Sequence, residues 1–125
     1  MIKHIFHIDD DEEDCLFFNA ALSKIGFAGK YTAAENWQKA LVKLSQDPAA
    51  DLIILDYNMP LKNGYEILQT LKAEAKWSQI PVVMLSTSNS GELKQKCLSG
   101  GACSYYVKPT DFNSLCDLAL VLTSL

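Results

Sequence analysis

Four short apolar runs in this chain each end in residues able to do chemistry. KHIFHI (3–8) runs into the carboxylates DDDEED (9–14), and DLIIL (51–55) into Asp56. PVVML (81–85) runs into Ser86-Thr87-Ser88, and CSYYV (103–107) into Lys108-Pro109. Charged groups at the mouths of buried segments are costly unless they find partners. If these exits share one face, Asp9, Asp10 and Asp56 converge and repel, each raising its neighbours' pKa unless a cation intervenes. A hard divalent ion resolves the conflict. Mg2+ fits, because it takes one or two carboxylates and keeps its other positions for water or phosphate oxygens. The metal and Lys108 would neutralise an incoming phosphoryl group, Ser86 would donate a hydrogen bond to it, and a carboxylate would attack phosphorus.

Each feature has a structural reading as well. Glu12, Glu13 and Asp14 suit a helix N-terminus, where the macrodipole favours acids. Asp56 and Ser86 could cap the turns or helices that follow them, and Lys-Pro after a strand often makes a turn. The coincidence of four such features at four strand ends is what favours chemistry.

The elements that must position these groups alternate. The apolar runs at 3–8, 51–55, 81–85 and 103–107, with a weaker FAGKYTA at 27–33, read as strands. The middle ones lack period-two alternation, as strands covered on both faces should. Helical periodicity fills the gaps. A first helix over 13–25 sets Phe17, Phe18, Ala21, Leu22 and Ile25 on one stripe, and Gly26 stops it. A second over 35–45 turns Trp37, Ala40, Leu41 and Leu44 inward. A third starts at Gly64 or Tyr65 with Ile67, Leu68 and Leu71 inward, and a short polar one covers 91–98. The last opens after Pro109 with Asp111 as N-cap and carries Phe112, Leu115, Leu118, Ala119 and Leu122. Strict βα alternation predicts an α/β, doubly wound (βα)5 sandwich, a flavodoxin-like parallel sheet in the order 2-1-3-4-5. In such sheets ligands bind beyond the carboxyl ends of the strands.

Composition narrows the function. At 125 residues the chain is expected to form one domain, 1–125, with no output domain. The net charge is −4 and the 11 basic residues are all lysine without a cluster, which disfavours nucleic-acid binding. No stretch approaches the roughly 18 apolar residues of a membrane span, and MIKHIFHI is too short for a signal peptide, so a cytoplasmic protein is expected. Cys15, Cys97, Cys103 and Cys116 form no CxxC pair and read as buried or half-buried thiols.

Taken together, IDDD (8–11), LDYNMPLKNG (55–64), PVVMLSTS (81–88) and GACSYYVKP (101–109) resemble the receiver domain of two-component response regulators (the CheY-like superfamily) along essentially the whole chain. The resemblance implies phosphorylation of an aspartate by a partner histidine kinase or phosphotransfer protein, and no catalysis beyond the domain's own phosphorylation and dephosphorylation. Carried over by position, Asp56 is the phosphoacceptor. Asp10 binds Mg2+ directly, Asp9 largely through water, and Asn58 through its backbone carbonyl. Ser86 is the switch hydroxyl, Lys108 the partner lysine, Tyr105 the aromatic whose rotamer reports activation, and Lys108-Pro109 a cis peptide. Asn58 and Ser88 stand where the family tunes hydrolysis.

Output is then expected by contact of the fourth helix, fifth strand and fifth helix with a downstream protein target or, as a homodimer, with a second copy. Some of LCDLALVLTSL (115–125) is candidate interface. Four positions stand apart from the family pattern. Ser86 replaces the commoner threonine but keeps a hydroxyl. His4 and His7 lie in the central first strand and read as core histidines hydrogen-bonded to neighbours rather than as a phosphoryl relay. Asp11 reads as a loop or first-turn residue. Two other classes share parts of this pattern: a magnesium-dependent phosphohydrolase, for which no cap insertion is evident, and a pseudo-receiver, whose usual mark is loss of the acid pair or the lysine.

Overall fold

The structure, a computed structural model, describes residues 2–46 and 50–125. Strands and helices alternate: β1 (His4–Ile8), α1 (Glu12–Lys24), β2 (Lys30–Ala34), α2 (Trp37–Gln46), β3 (Leu52–Asp56), α3 (Gly64–Ala73), β4 (Val82–Ser86), α4 (Gly91–Ser99), β5 (Ser104–Val107) and α5 (Phe112–Thr123). The five strands form one sheet in the order β2-β1-β3-β4-β5, every pairing parallel. This is the predicted flavodoxin-like order.

Both faces are covered because side chains of successive strand residues point to opposite sides. Ile5, Leu52, Ile54, Val83 and Leu85 pack with Phe18, Ala21 and Leu22 of α1 and Leu118, Ala119 and Leu122 of α5. Phe6, Ile8, Ile53, Leu55, Val82 and Met84 pack with Ala40 and Leu44 of α2, Ile67, Leu68 and Leu71 of α3, and Cys97 of α4. Burying each such side chain fully contributes about 1.5–3 kcal/mol, so the strands carry the core. Register then sets the site. Ile8 pairs with Leu55 and Ser86 with Val107, so Asp9, Asp56, Ser86 and Lys108 emerge together at the carboxyl edge.

Helix ends show why the chain breaks where it does. Asp11 is the N-cap of α1 and accepts from the N–H groups of Glu13 and Asp14, a sharper role than the loop or first turn expected. At the far end Gly26, with φ of 79°, lets Phe27 N–H reach Leu22 O at 2.9 Å and Gly26 N–H reach Ser23 O at 3.1 Å, a Schellman ending. Phe27 packs against the α1/α5 cluster, so β2 begins at Lys30 and not at residue 27. Asn63 and Glu66 form a reciprocal capping box that fixes the start of α3 at Gly64.

Three other expectations are corrected. Phe17 and Leu41 lie beside the buried stripes of α1 and α2 and are 55% and 39% exposed, because Phe18 and Ala40 take the sheet-facing positions. Cys103 is exposed, one residue before β5 begins. Among the described residues no peptide bond is cis, so Lys108-Pro109 is trans; X–Pro bonds favour trans by about 0.5–1 kcal/mol.

Candidate functional site

Lys108 follows β5, and its N–H continues the ladder to Ser86 O at 2.8 Å. Its ammonium lies 3.2 Å from Asp9 Oδ2, 3.2 Å from Asp56 Oδ1 and 2.7 Å from Asp14 Oδ2. Asp9 and Asp56 are each only 1% exposed. Asp9 Oδ1 accepts the Asp11 N–H at 2.9 Å, and Asp56 Oδ1 accepts the Asn58 N–H at 3.2 Å. The β3 and β4 exits are tied together by the Asn58 side chain, whose Oδ1 accepts from Ser86 Oγ at 3.3 Å and from both the Thr87 N–H and hydroxyl.

The two buried carboxylates are driven apart electrostatically. Burial pushes the Asp56 carboxyl up to about 7, and the negative charge of Asp9 adds to the rise, while Lys108 and the Asn58 N–H oppose it. Burial would raise Asp9 as well, but contact with His7, the Asp11 N–H and Lys108 together hold it below the ordinary carboxylate value. Lys108 loses hydration on burial, yet Asp14, Asp9 and Asp56 keep its pKa above the usual lysine value. The opposed shifts leave Asp9 readily ionised while Asp56 is held toward its neutral form.

One ammonium cannot neutralise the three carboxylates it touches, and Asp10 adds a fourth. One ligand atom from each of Asp9, Asp10 and Asp56 lies within 4.8 Å of the others. The donor set is all oxygen with one solvent-exposed member, which fits a hard cation that keeps water in its shell, as Mg2+ does.

The remaining predicted residues cluster around this pair. Ser86 is fully buried, and its Oγ also accepts the Ser88 N–H at 3.0 Å. Tyr105 is 7% exposed and its hydroxyl donates to Ser88 O at 2.8 Å. His4 and His7 are core histidines, bonded to Thr32 Oγ1 and the Tyr31 hydroxyl at 2.9 and 2.8 Å, as read from sequence. Sequence reasoning missed Asp14, assigned to a solvated helix start. The available signal was its position in the first turn of α1, on the same side as Phe18, which points that turn toward α5 and the β5 exit.

The sequence matches the response regulator receiver domain family over residues 5–120. The chain belongs to that family. The receiver is 32% identical over 120 residues to the two-component response regulator ORR5 of Oryza sativa subsp. japonica, covering 94% of this chain and 88% of the rice protein. It is 36% identical over 106 residues to ORR8 of Oryza sativa subsp. indica, covering 85% and 86% of the two chains. Among solved structures it superposes on the chemotaxis protein CheY4 of Vibrio cholerae with a TM-score of 0.83 at 26% identity, over 100% of both chains. It superposes on the phosphorylated cyanobacterial phytochrome response regulator RcpA with a TM-score of 0.86 at 25% identity, over 99% of this receiver and 93% of that chain. Receiver domains are signalling domains of two-component systems rather than ordinary enzymes. They take a phosphoryl group on an aspartate, generally use Mg2+ at an acidic pocket, and interact with histidine kinases or phosphotransfer proteins. Among the described residues no helix is long and apolar enough to cross a membrane.

Proposed function

We propose that this receiver accepts a phosphoryl group on Asp56 and that residues 1–125 act as one domain signalling by contact. The observation that carries the assignment is the asymmetry of Asp56. Its Oδ1 is held by Lys108 and the Asn58 N–H, while Oδ2 takes no hydrogen bond or ion pair among the described residues. Asp9, by contrast, is engaged at both oxygens. Asp56 Oδ2 is therefore the oxygen available to attack. Its lone pair forms the new O–P bond as the P–N bond of a phosphohistidine breaks, and the imidazole nitrogen keeps that electron pair.

Asp9, Asp10 and Asp56, with the backbone carbonyl of Asn58, would hold Mg2+, which supplies positive charge against the phosphoryl oxygens. Lys108 adds a second cation at fixed distance, and its grip on Asp9 and Asp14 keeps it from drifting with solvent. Ser86 Oγ exchanges its bond to Asn58 for one to a phosphoryl oxygen. Because Ser86 Oγ also holds the Ser88 N–H, and Ser88 O anchors Tyr105, a shift at Ser86 is passed to that ring. Movement of Ser88 then shifts the Tyr105 ring from its buried position, and the surface of α4, β5 and α5 changes. Such a two-state element needs only a few kcal/mol of differential interaction to change its populations.

The phosphodonor is a sensor histidine kinase or phosphotransfer protein. The output is contact with a downstream protein or a second copy through the α4, β5 and α5 face, where Val107, Leu120 and Val121 are exposed. Free thiols at all four cysteines suit a reducing cytoplasm. The test is intact mass after treatment with acetyl phosphate and magnesium. Wild type should gain one phosphoryl group and Asp56→Asn none; a phosphorylated Asp56→Asn would sink the assignment.

A further inference from the structure

His7 lies two residues before Asp9 on β1 and is 1% exposed. Phe18 and Tyr31 pack against its ring edge-on at centroid distances of 5.3 and 5.9 Å. Its Nδ1 stands 2.8 Å from the Tyr31 hydroxyl. Its Nε2 is buried without a hydrogen-bond partner and faces Asp9 Oδ2 at 3.6 Å.

For a neutral imidazole, counting protons selects between the two tautomers. The Tyr31 hydroxyl has one proton and two acceptors in reach, His7 Nδ1 at 2.8 Å and Cys15 O at 3.2 Å. Given to Cys15 O, that proton would force the imidazole proton onto Nδ1, and Nε2 would aim a lone pair at a buried carboxylate oxygen. In a dry site two opposed acceptors repel strongly. Given to Nδ1, it leaves the imidazole proton on Nε2, directed at Asp9. The shorter contact and the sign of the interaction select the second arrangement.

We infer that His7 is a positioning residue for the phosphorylation site, its Nε2–H fixing the Asp9 carboxylate while Tyr31 fixes His7. This rests on Asp9 serving as a metal ligand. Asp9 is then gripped at Oδ1 by the Asp11 N–H and at Oδ2 by Lys108 and His7. The Tyr31–His7–Asp9 line ties the edge strand β2 to the site. At 3.6 Å the contact exceeds an ordinary N–H to O distance of about 2.9 Å, so Nε2–H acts on Asp9 through the attraction of its dipole to the buried carboxylate.

The experiment is calorimetric titration with magnesium chloride of wild type, His7→Leu, His7→Gln and Asp9→Asn, each shown to be folded by its urea transition. Outer-shell partners of metal ligands are typically worth 10–100-fold in affinity, so His7→Leu should bind Mg2+ about tenfold more weakly. His7→Gln keeps an N–H near the place of Nε2 and should stay within about threefold of wild type. A metal-free readout accompanies it: the amide resonance of Asp11, which donates to Asp9 Oδ1, should move in His7→Leu and far less in His7→Gln. Wild-type affinity in His7→Leu, equal losses in both His7 variants, or an unmoved Asp11 resonance in His7→Leu would each overturn the inference. Wild type that binds Mg2+ no more tightly than Asp9→Asn would instead remove the metal-ligand reading of Asp9, and this inference with it.

Discussion

Replacing Asp56 by asparagine should stabilise the folded protein in metal-free buffer at pH 8, and the gain should vanish in acid. Asp56 is 1% exposed, and burial together with the charge of Asp9 lifts its carboxyl from 3.8 to about 7. In the unfolded chain it titrates near the ordinary value of about 3.9. Between about pH 4 and pH 7 the folded state therefore binds more protons than the unfolded state, and stability falls as pH rises. Above about pH 7 the whole penalty is present. At about 1.36 kcal/mol per pH unit, the rise from 3.8 to about 7 corresponds to a ceiling of about 4 kcal/mol. Asparagine keeps the shape and an acceptor for the Asn58 N–H but carries no charge, so at pH 8 the variant should gain about 2–4 kcal/mol. Asp9 acts with the opposite sign, contributing stability above its ordinary pKa that is lost as pH falls. Asp9 is present in both proteins, so the difference between them at each pH reports the Asp56 charge together with its repulsion of Asp9. Urea transitions followed by the fluorescence of Trp37 and Trp77, in EDTA at pH 4, 6 and 8, measure the difference. Magnesium at pH 8 should narrow it by stabilising wild type through binding. A variant no more stable than wild type at pH 8, or a gap that does not shrink toward pH 4, would refute the reasoning.

Two further outcomes follow from the loop after β3. A Cβ built at Gly64 would lie 2.6 Å from Asp56 O and 2.7 Å from Tyr57 Cα, both backbone atoms, so Gly64→Ala should destabilise by about 2–3 kcal/mol in a urea melt. It should also slow phosphoryl uptake from acetyl phosphate, since the strained backbone is that of Asp56. Leu61 is fully exposed with φ of 67°, a left-handed conformation that disfavours a side chain. Leu61→Gly should therefore raise stability by about 0.5–1 kcal/mol in the same assay, with the phosphorylation yield unchanged.

The strand exits were legible from sequence because burial on both faces makes parallel strands continuous apolar runs, and the first polar residue marks where each leaves the core. Asp9, Asp56, Ser86 and Lys108 all stand at such junctions. The helix phases were less legible. Phe17 and Leu41 satisfy the apolar periodicity yet flank the buried stripe, since hydrophobicity fixes a face only to within about one position. Asp14 was misread because its partner lies on another strand exit, and nothing in a local window distinguishes an acid favoured by the macrodipole from one that grips a distant ammonium. The Asn58 side chain was assigned no contact for the same reason, its partners Ser86 and Thr87 being one strand away. The trans Lys108-Pro109 bond lay beyond sequence reasoning, because the two isomers differ by so little.

Lys108 and Asp9 meet across 99 residues of chain, and every strand pairing in the sheet is parallel, so none closes through a tight hairpin. The site therefore has a high contact order: loop-closure entropy must be overcome almost to the end of folding before its charges come together. A half-folded intermediate whose last strand has not docked holds all the necessary side chains but no pocket. Under the proposed function, phosphoryl uptake would count finished molecules only, and a copy whose last strand has not docked would stay silent.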